Sequence, residues 1–366
     1  MTQVNPSSQN HTISALILAA GKGTRMKSAL PKVLHPVMGR PMLAWIMDVV
    51  KKAGATDVTV VLSPDTTQFA KFLEAHPTLR VATQNSQRGT GDAVAAAAKA
   101  YRKAAQPSWS DGSLMRGDAS SAEWILICAG DTPAINPQTI RDFIKASIAS
   151  SRKLAVLGMN VSDPRGYGRL IKASDGGLKQ VIEDRDADPQ TKKIMLCNSG
   201  VIFAEVSWLF KMLDSLVPNN SQNEYYLTDV FAASEKQGHA AFVFESSSEA
   251  EFSGVNDRIQ LERIERSMIK QRINEFLSHG VTFHLPETTY IEADVVIEPD
   301  TRIFSGVTLK GKTKIARNCI IGPGAHIEDT VLGAGVRVGA HAVLIGCQVS
   351  AGEVISPQAS CTDLKV

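Results

Sequence analysis

The sequence predicts an α/β fold in two parts, a doubly wound Rossmann-like domain followed by a short parallel β-helix. Three observations carry that prediction. Apolar runs of strand length alternate with helical patterns through the first two thirds of the chain, aliphatic residues recur every six positions from Ile297 onward, and 366 residues suffice for two domains at about 150 residues each.

In chain order, the polar stretch 1–12 reads as a disordered tail, and residues 13–20 form a continuous apolar run, the pattern of a buried strand. A helix over 42–53 follows, stopped by Gly54, then a strand over 58–62, a helical stretch over 92–105 and a second apolar strand at Trp124–Ala129. Strands joined by helices of this length pair in parallel through right-handed crossovers. Segment 107–122 is rich in Ser, Gly and Asp and reads as an irregular surface loop open to disorder. The first domain is therefore expected over 13–256. Residues 257–278 set Ile259, Ile264, Ile269, Ile273 and Leu277 among many charges, the pattern of an exposed amphipathic helix, closed by Gly280 as a connector over 257–280.

In the last part, 281–366, aliphatic residues stand at Ile297, Ile303, Leu309, Ile315, Ile321 and Ile327, after a slip at Leu332, Val338 and Leu344, and then at Val349 and Ile355. A period of six is neither helix nor hairpin. It is what a triangular parallel β-helix requires, because each short face sends one apolar residue into a narrow axial core. At about 18 residues per coil the run makes roughly four coils. An antiparallel sandwich would need the same spacing by coincidence.

Composition narrows the function. A net charge of +2, with 43% apolar and 21% charged residues, lacks the basic excess that nucleic-acid binding needs, so no nucleic-acid partner is expected. No cationic start with an apolar run behind it opens the chain, and no long uncharged apolar stretch follows, so neither export nor membrane insertion is expected. The five cysteines show no metal-binding spacing and read as reduced thiols of a cytoplasmic protein. Cys128 and Cys197 sit in apolar strands and read as small hydrophobes, not nucleophiles. His35 reads as a packing or backbone-bonding residue, not a catalytic one.

Chemistry concentrates after the first apolar run, in Leu18-Ala19-Ala20-Gly21-Lys22-Gly23-Thr24-Arg25-Met26 followed by Leu30-Pro31-Lys32. Two glycines and small residues let a loop at the carboxyl end of a parallel strand close around phosphate, with Arg25 and Lys32 as cations. The spacing is neither a Walker loop nor a full dinucleotide fingerprint. Asp131 follows an apolar strand at the mouth where such sheets collect ligands, and its carboxylate is a natural hard-oxygen ligand for Mg²⁺, a buried capping Asp being the plain alternative.

The L-x-A-G-x-G-T-R-M run with its following P-K resembles the sugar-nucleotide pyrophosphorylases, a nucleotidyltransferase family. Gln84 with Gln87-Arg88-Gly89-Thr90-Gly91, Gly130-Asp131-Thr132-Pro133, Gly166-Tyr167-Gly168-Arg169, Val181-Ile182-Glu183, Asn198-Ser199-Gly200, Glu224-Tyr225-Tyr226-Leu227-Thr228-Asp229 and Gly254-Val255-Asn256-Asp257-Arg258 appear in order. That series is similar to bacterial N-acetylglucosamine-1-phosphate uridylyltransferases and covers nearly the whole chain from Ile13. The resemblance implies a left-handed β-helix, and an Mg²⁺-dependent transfer of uridylyl from UTP to N-acetylglucosamine-1-phosphate that makes UDP-N-acetylglucosamine and pyrophosphate. It implies Asp131 and Asn256 as the Mg²⁺ ligands, Arg25, Lys32 and Asp131 as the catalytic set, and Leu18, Ala19, Ala20 and Gly21 along the nucleoside. Gln84 and the Gly89-Thr90 backbone would read the uracil edge, with Ala129 and Gly130 offering backbone to the nucleotide. Gly168, Glu183, Asn198, Tyr226 and Thr228 would form the sugar pocket. A homotrimer through the β-helix is implied as well.

Departures are visible too. The coils that carry the family's acetyltransferase site have no counterpart in 366 residues, so no acetyl transfer is expected, and His326 and His341 are not assigned to it. Ala129 stands where relatives have an aromatic residue. Asp92 stands where they often have histidine, with little consequence expected. Other readings are transfer to another sugar-1-phosphate, dTTP as donor, or a noncatalytic scaffold subunit.

Overall fold

The structure is a computed structural model that describes residues 11–363. Most of the expected disordered tail lies outside the described residues. Its last two residues, however, belong to the fold: the Thr12 carbonyl accepts from the Glu123 and Trp124 N–H groups, and the His11 ring meets Trp124 edge-on at 6.1 Å.

The chain divides into two compact units, residues 1–35 with 42–257, and residues 36–41 with 258–366. In chain order its first half runs β1 (Ile13–Leu18), β2 (Pro36–Val37), β3 (Arg40–Pro41), α1 (Met42–Lys52), β4 (Asp57–Leu62), α2 (Ala70–Ala75), β5 (Arg80–Thr83), α3 (Thr90–Ala96), β6 (Ser113–Arg116), β7 (Trp124–Ala129), α4 (Pro137–Ala149) and β8 (Leu154–Asn160). There follow β9 (Arg169–Lys172), β10 (Leu178–Ile182), β11 (Leu196–Glu205), α5 (Val206–Asp214), α6 (Asp229–Lys236), β12 (Phe242–Ser246) and α7 (Arg258–Ser278).

In the first unit one ten-stranded mixed sheet has the order β10-β9-β11-β7-β1-β4-β5-β6, with β8 pairing β11 and β12. The strands expected to run parallel do so: β1 lies between β4 and β7 with Leu18 level with Val61 and Ala129, and β5 continues beyond β4. On the other flank β11 is antiparallel to both β7 and β8. The two-residue period of β1 explains the layers. Ala15 and Ile17 join a core with Leu43, Ile46 and Val50 of α1 and Phe143 of α4, while Leu16 joins the opposite core with Val94 of α3, Leu209 of α5 and Phe231 of α6. Cys128 and Cys197 are buried in these strands, and burial pushes their thiols up to about 12 and about 11, which suits packing and not nucleophilic work.

Two expectations change. The helical stretch from 92 is short: α3 ends at Ala96, and after one 3₁₀ turn the chain pairs with the later segment, Ser120 N–H donating to Ala100 O (2.7 Å) and Arg102 N–H to Ser120 O (2.9 Å). Segment 107–122 is correspondingly irregular only in part. It carries β6, antiparallel to β5 at the sheet edge, and buries Ser120 and Ala122. Its Ser, Gly and Asp content serves close packing; a Cβ on Gly112 would overlap Ala96.

The second unit is a parallel β-helix, its fourteen short strands from Thr282–Phe283 to Ser360–Thr362 stacked in three sheets of five, five and four strands. The predicted period is the coil period, with Ile297 level with Ile315, Ile303 with Ile321 and Leu309 with Ile327, and all of these are buried. Where the six-residue rhythm slips the coil shortens, so that Ile315 faces Leu332 and Leu332 faces Val349. Two residues before each of these aliphatics a smaller one is also buried, among them Thr301, Val307, Thr313, Cys319 and Ala325. The threonine hydroxyls there donate to backbone carbonyls, Thr301 to Ala316 O at 2.9 Å and Thr313 to Lys310 O at 2.7 Å, so their burial leaves no orphaned oxygen.

Helix α7 belongs to this unit and is not a free connector: Ile273 and Phe276 enter the β-helix core, whereas Ile259 and Leu277 of the expected apolar stripe are exposed. Residues 36–41 also join it. The Met38 N–H donates to a Glu265 carboxylate oxygen (2.7 Å), and the Met38 carbonyl accepts from Ala293 (3.0 Å). No helix among the described residues is long and apolar enough to cross a membrane.

Candidate active site

The carboxyl ends of β1 and β7 lie side by side in the middle of the sheet, and the loops that leave them bound a cleft of about 340 Å³. Open parallel sheets collect ligands at this edge. Leu18, Ala19, Ala20 and Gly21 form one wall, Gln84, Gly89, Thr90 and Ala93 another, and Lys32, Val33, Ala129 and Asp131 the floor. Glycine is needed at two points. Gly23 has φ 57°, and a Cβ there would come within 2.7 Å of Lys32 Cβ. Gly130 donates its N–H to Leu18 O (3.0 Å) and has Val33 against the place a Cβ would take.

Four polar side chains meet at one end. Lys32 Nζ is paired with Asp131 Oδ2 and also donates to Asn256 Oδ1 at 3.2 Å, while Arg25 Nη2 donates to the same Asn256 oxygen at 3.0 Å. Asn256 is held there because the Val255 N–H donates to the Asp131 carbonyl (2.9 Å). Asp131 and Asn256 thus aim two hard oxygens at one point, already the seat of a cation. That donor set fits Mg²⁺, which takes few protein oxygens and completes its octahedron with phosphate and water. Among the described residues no three His, Cys, Asp or Glu side chains cluster to form a closed metal cage.

The loop over 84–92 is tied down by a residue expected to matter little. Asp92 is fully buried; its carboxylate accepts from Gln84 Nε2 (2.9 Å), from the Arg88 N–H (3.3 Å) and from Arg88 Nη2 (2.9 Å). Gln84 Nε2 also donates to Gly89 O (3.1 Å). Gln87 reaches across to the Ala20 carbonyl (2.8 Å). Segment 107–122 covers this loop from outside: Trp109 stacks on Tyr225 at 3.9 Å, Arg88 lies 5.8 and 5.5 Å from the two rings and donates to Trp109 O (2.7 Å), and Asn85 donates to Asp111 O (2.7 Å). The Trp109–Tyr225 and Asn85–Asp111 links are not visible in sequence, since each joins residues far apart in the chain.

The other predicted residues form a second group. Thr228 Oγ1 donates to Glu183 Oε1 (2.9 Å), a Cβ on Gly168 would lie 3.2 Å from Glu183 Oε2, and the Asn198 N–H donates to Gly168 O (2.8 Å). Burial pushes the Glu183 carboxyl above its usual range, and Asp229 is pushed up to about 6 by burial and then by the charges of Glu183 and Asp186. Tyr226 stands apart from these contacts, its hydroxyl accepting from Gln222 (2.8 Å). Two bonds stitch the groups together, one between backbones, Gly91 N–H to Tyr225 O (2.8 Å), and one from backbone to side chain, Leu227 N–H to Thr90 Oγ1 (3.0 Å). A larger cleft of about 730 Å³ lies in the second unit between α7 and residues 286–290.

Comparison with known proteins agrees with this arrangement. Residues 15–185 match the MobA-like NTP transferase domain, and residues 288–329 and 312–346 match the bacterial transferase hexapeptide (six repeats). The chain is 37% identical over 349 residues to the bifunctional protein GlmU of Trichlorobacter lovleyi, covering 94% of this chain and 72% of that one. It is 37% identical over 346 residues to GlmU of Clostridioides difficile, covering 94% and 71%. A solved structure of a putative glucose-1-phosphate thymidylyltransferase from Bacillus anthracis, in complex with a sucrose, superposes with a TM-score of 0.53 at 18% identity over 69% of this chain and 94% of that one, a likeness of fold. With a nucleotidyltransferase domain ahead of hexapeptide repeats, and that identity sustained over nearly its whole length, the chain belongs to the GlmU family and is a nucleotidyltransferase.

Proposed function

We propose that the first unit transfers uridylyl from UTP to N-acetylglucosamine-1-phosphate, giving UDP-N-acetylglucosamine and pyrophosphate. The observation that carries the proposal is the meeting of Arg25, Lys32, Asp131 and Asn256 beside the Gly21 loop, cations and hard oxygens at one end of a cleft of nucleotide size. In this reading Gln84 with the Gly89 and Thr90 backbone meets the base. Residues Leu18 to Gly21, with Ala129 and Gly130, follow the nucleoside. Gly168, Glu183, Asn198, Tyr226 and Thr228 hold the sugar, Glu183 and Asn198 having the acceptors and donors that hydroxyl and acetamido groups need.

The nucleophile is a phosphate oxygen that is already anionic. It forms a bond to the α-phosphorus as the bond from that phosphorus to the β-phosphate oxygen breaks, and the electron pair leaves with pyrophosphate. No proton has to move, so no general base is needed. Catalysis is then positioning and neutralisation of charge. Lys32 and Arg25 share Asn256 as partner and can pass their donors to phosphate oxygens as these enter, stabilising charge on the transferring and leaving groups. Asp131 and Asn256 would hold Mg²⁺, which when bound supplies charge neutralisation at the phosphates.

Pyrophosphate release from UTP, measured over a panel of sugar-1-phosphates with and without Mg²⁺, tests the proposal. Turnover should be fastest with N-acetylglucosamine-1-phosphate and require the metal. A preference for glucose-1-phosphate, or equal turnover with dTTP, would replace it with a related transferase. The five free cysteines support a cytoplasmic setting. The β-helix supports a homotrimer; light scattering giving a monomer at micromolar concentration would overturn that.

A further inference from the structure

We propose that Asp92 is a positioning residue that sets the choice of nucleobase: its buried carboxylate turns the Gln84 side-chain amide so that only the amide oxygen is offered to the base. The inference rests on the reading of Gln84 as the residue that meets the base. The argument needs only the chemistry of the neighbours. Gln84 is 4% exposed, and the two groups beside its terminal amide, the Asp92 carboxylate at 2.9 Å and the Gly89 carbonyl at 3.1 Å, can only accept hydrogen bonds. Both N–H bonds of the amide are therefore spent on the protein. Reversing the amide would set its oxygen against two acceptors and leave a buried carboxylate short of a donor, which is strongly unfavourable.

Asp92 is itself fixed. It is fully buried at the start of α3, and Arg88 holds it through both backbone and guanidinium, while Arg88 is in turn pinned by the Trp109 carbonyl. The amide direction is thus set before any nucleotide arrives.

Gln84, Gly89 and Thr90 line the same cleft, so in this reading it offers the base one acceptor, the Gln84 amide oxygen, next to the backbone N–H donors of Gly89 and Thr90. Uracil and thymine carry a ring N3–H next to a carbonyl and match that order. Cytosine carries an acceptor at N3 next to an amino group. With ribose and phosphates fixed along residues 18–32, it meets the same edge with both polarities reversed. A site that leaves buried polar groups unpaired discriminates far better than one that merely excludes bulk.

The test is equilibrium binding of UTP and CTP to the full chain by calorimetry, read as the ratio of the two dissociation constants, which does not depend on the transfer reaction. Asp92→Ala should lower the preference for UTP by roughly tenfold or more, through weaker UTP binding and stronger CTP binding. Asp92→Asn keeps the shape but gives Gln84 a partner that can donate or accept; it should lower the ratio in the same direction by less, and it decides the matter if the alanine variant does not fold. Gln84→Ala should also lower the ratio. A ratio unchanged in both Asp92 variants but lowered by Gln84→Ala overturns the positioning role alone. Equal weakening of UTP and CTP in the Asp92 variants shows a merely structural carboxylate and overturns it as well. A ratio untouched by Gln84→Ala overturns the base-reading assignment beneath it.

Discussion

Lys32 and Asp131 are each 16% exposed, so their pairing is set in a medium far less screening than water, while Lys32 keeps Asn256 as a second partner. Asp131→Ala removes one of the two oxygens proposed to hold the metal, at a strand end that bears little of the core. Turnover should fall on the order of 10² to 10³-fold while the melting temperature moves little. Wild-type turnover at limiting Mg²⁺ in a folded variant would remove Asp131 from the site. Lys32→Ala should lower kcat/KM by about 10² or more, and a loss below about threefold would return Lys32 to the surface. Asp229 gives a pH signature. Its folded value of about 6 lies above the ordinary 3.8, so the fold favours the protonated form. The stability this gives is full below about pH 4, is lost as pH rises to about 6 and is constant above that. Solvent reaches the group, so the effect is about 1 kcal/mol at most. Asp229→Asn should raise the melting temperature at pH 7 and not at pH 4; equal shifts at both would show that the titration is not the cause. The meeting of Lys32, Asp131 and Asn256 was legible through the motifs that carry the family resemblance. Asp92 was not, since the partner that gives it meaning, a buried amide eight residues earlier, becomes its neighbour only when β5 and α3 pack.

At the scale of elements, the β-helix is the part most fully written in the sequence. Each of its strands but the first and the last, which use Phe283 and Cys361, spends one aliphatic residue on the axis, so the fold repeats as a spacing, and even its short coils show as slips in that spacing. The sheet of the first unit was legible only where helices separate the strands. Its antiparallel flank, β8 to β11, has no comparable local sign. Segment 107–122 is hard to read for a related reason: β6 is four residues long and half-exposed, its partner is β5, and Trp109 ahead of it stacks on Tyr225, both partners distant in sequence. Trp109→Ala should therefore do more than a surface change. Loss of the stacked ring and of cover over Arg88 should cost roughly 2 kcal/mol of stability and weaken UTP binding severalfold, by thermal melting and calorimetry. Unchanged values in both would make the segment an ornament of the surface.

Across the whole molecule, the two units were foreseen as successive stretches, and the chain is less simple. Residues 36–41 leave the first unit between His35 and Met42, whose backbones close the gap with an N–H to carbonyl bond of 3.1 Å, and they are counted with the second. A cut after Asp257 therefore does not yield a whole second unit. A polypeptide of residues 258–366 should melt lower than one in which 36–41 are supplied by a linker, since Glu265 and Ala293 lose their partners at Met38; identical melting would make the hairpin dispensable. The same arrangement sets an order of events during synthesis. The hairpin emerges from the ribosome about two hundred residues ahead of the coils it joins, and at about 5 to 20 residues per second it waits ten seconds or more for them. The first unit can close beneath it through the His35 to Met42 bond, leaving a six-residue flag that the second unit must find after its own coils have begun to stack.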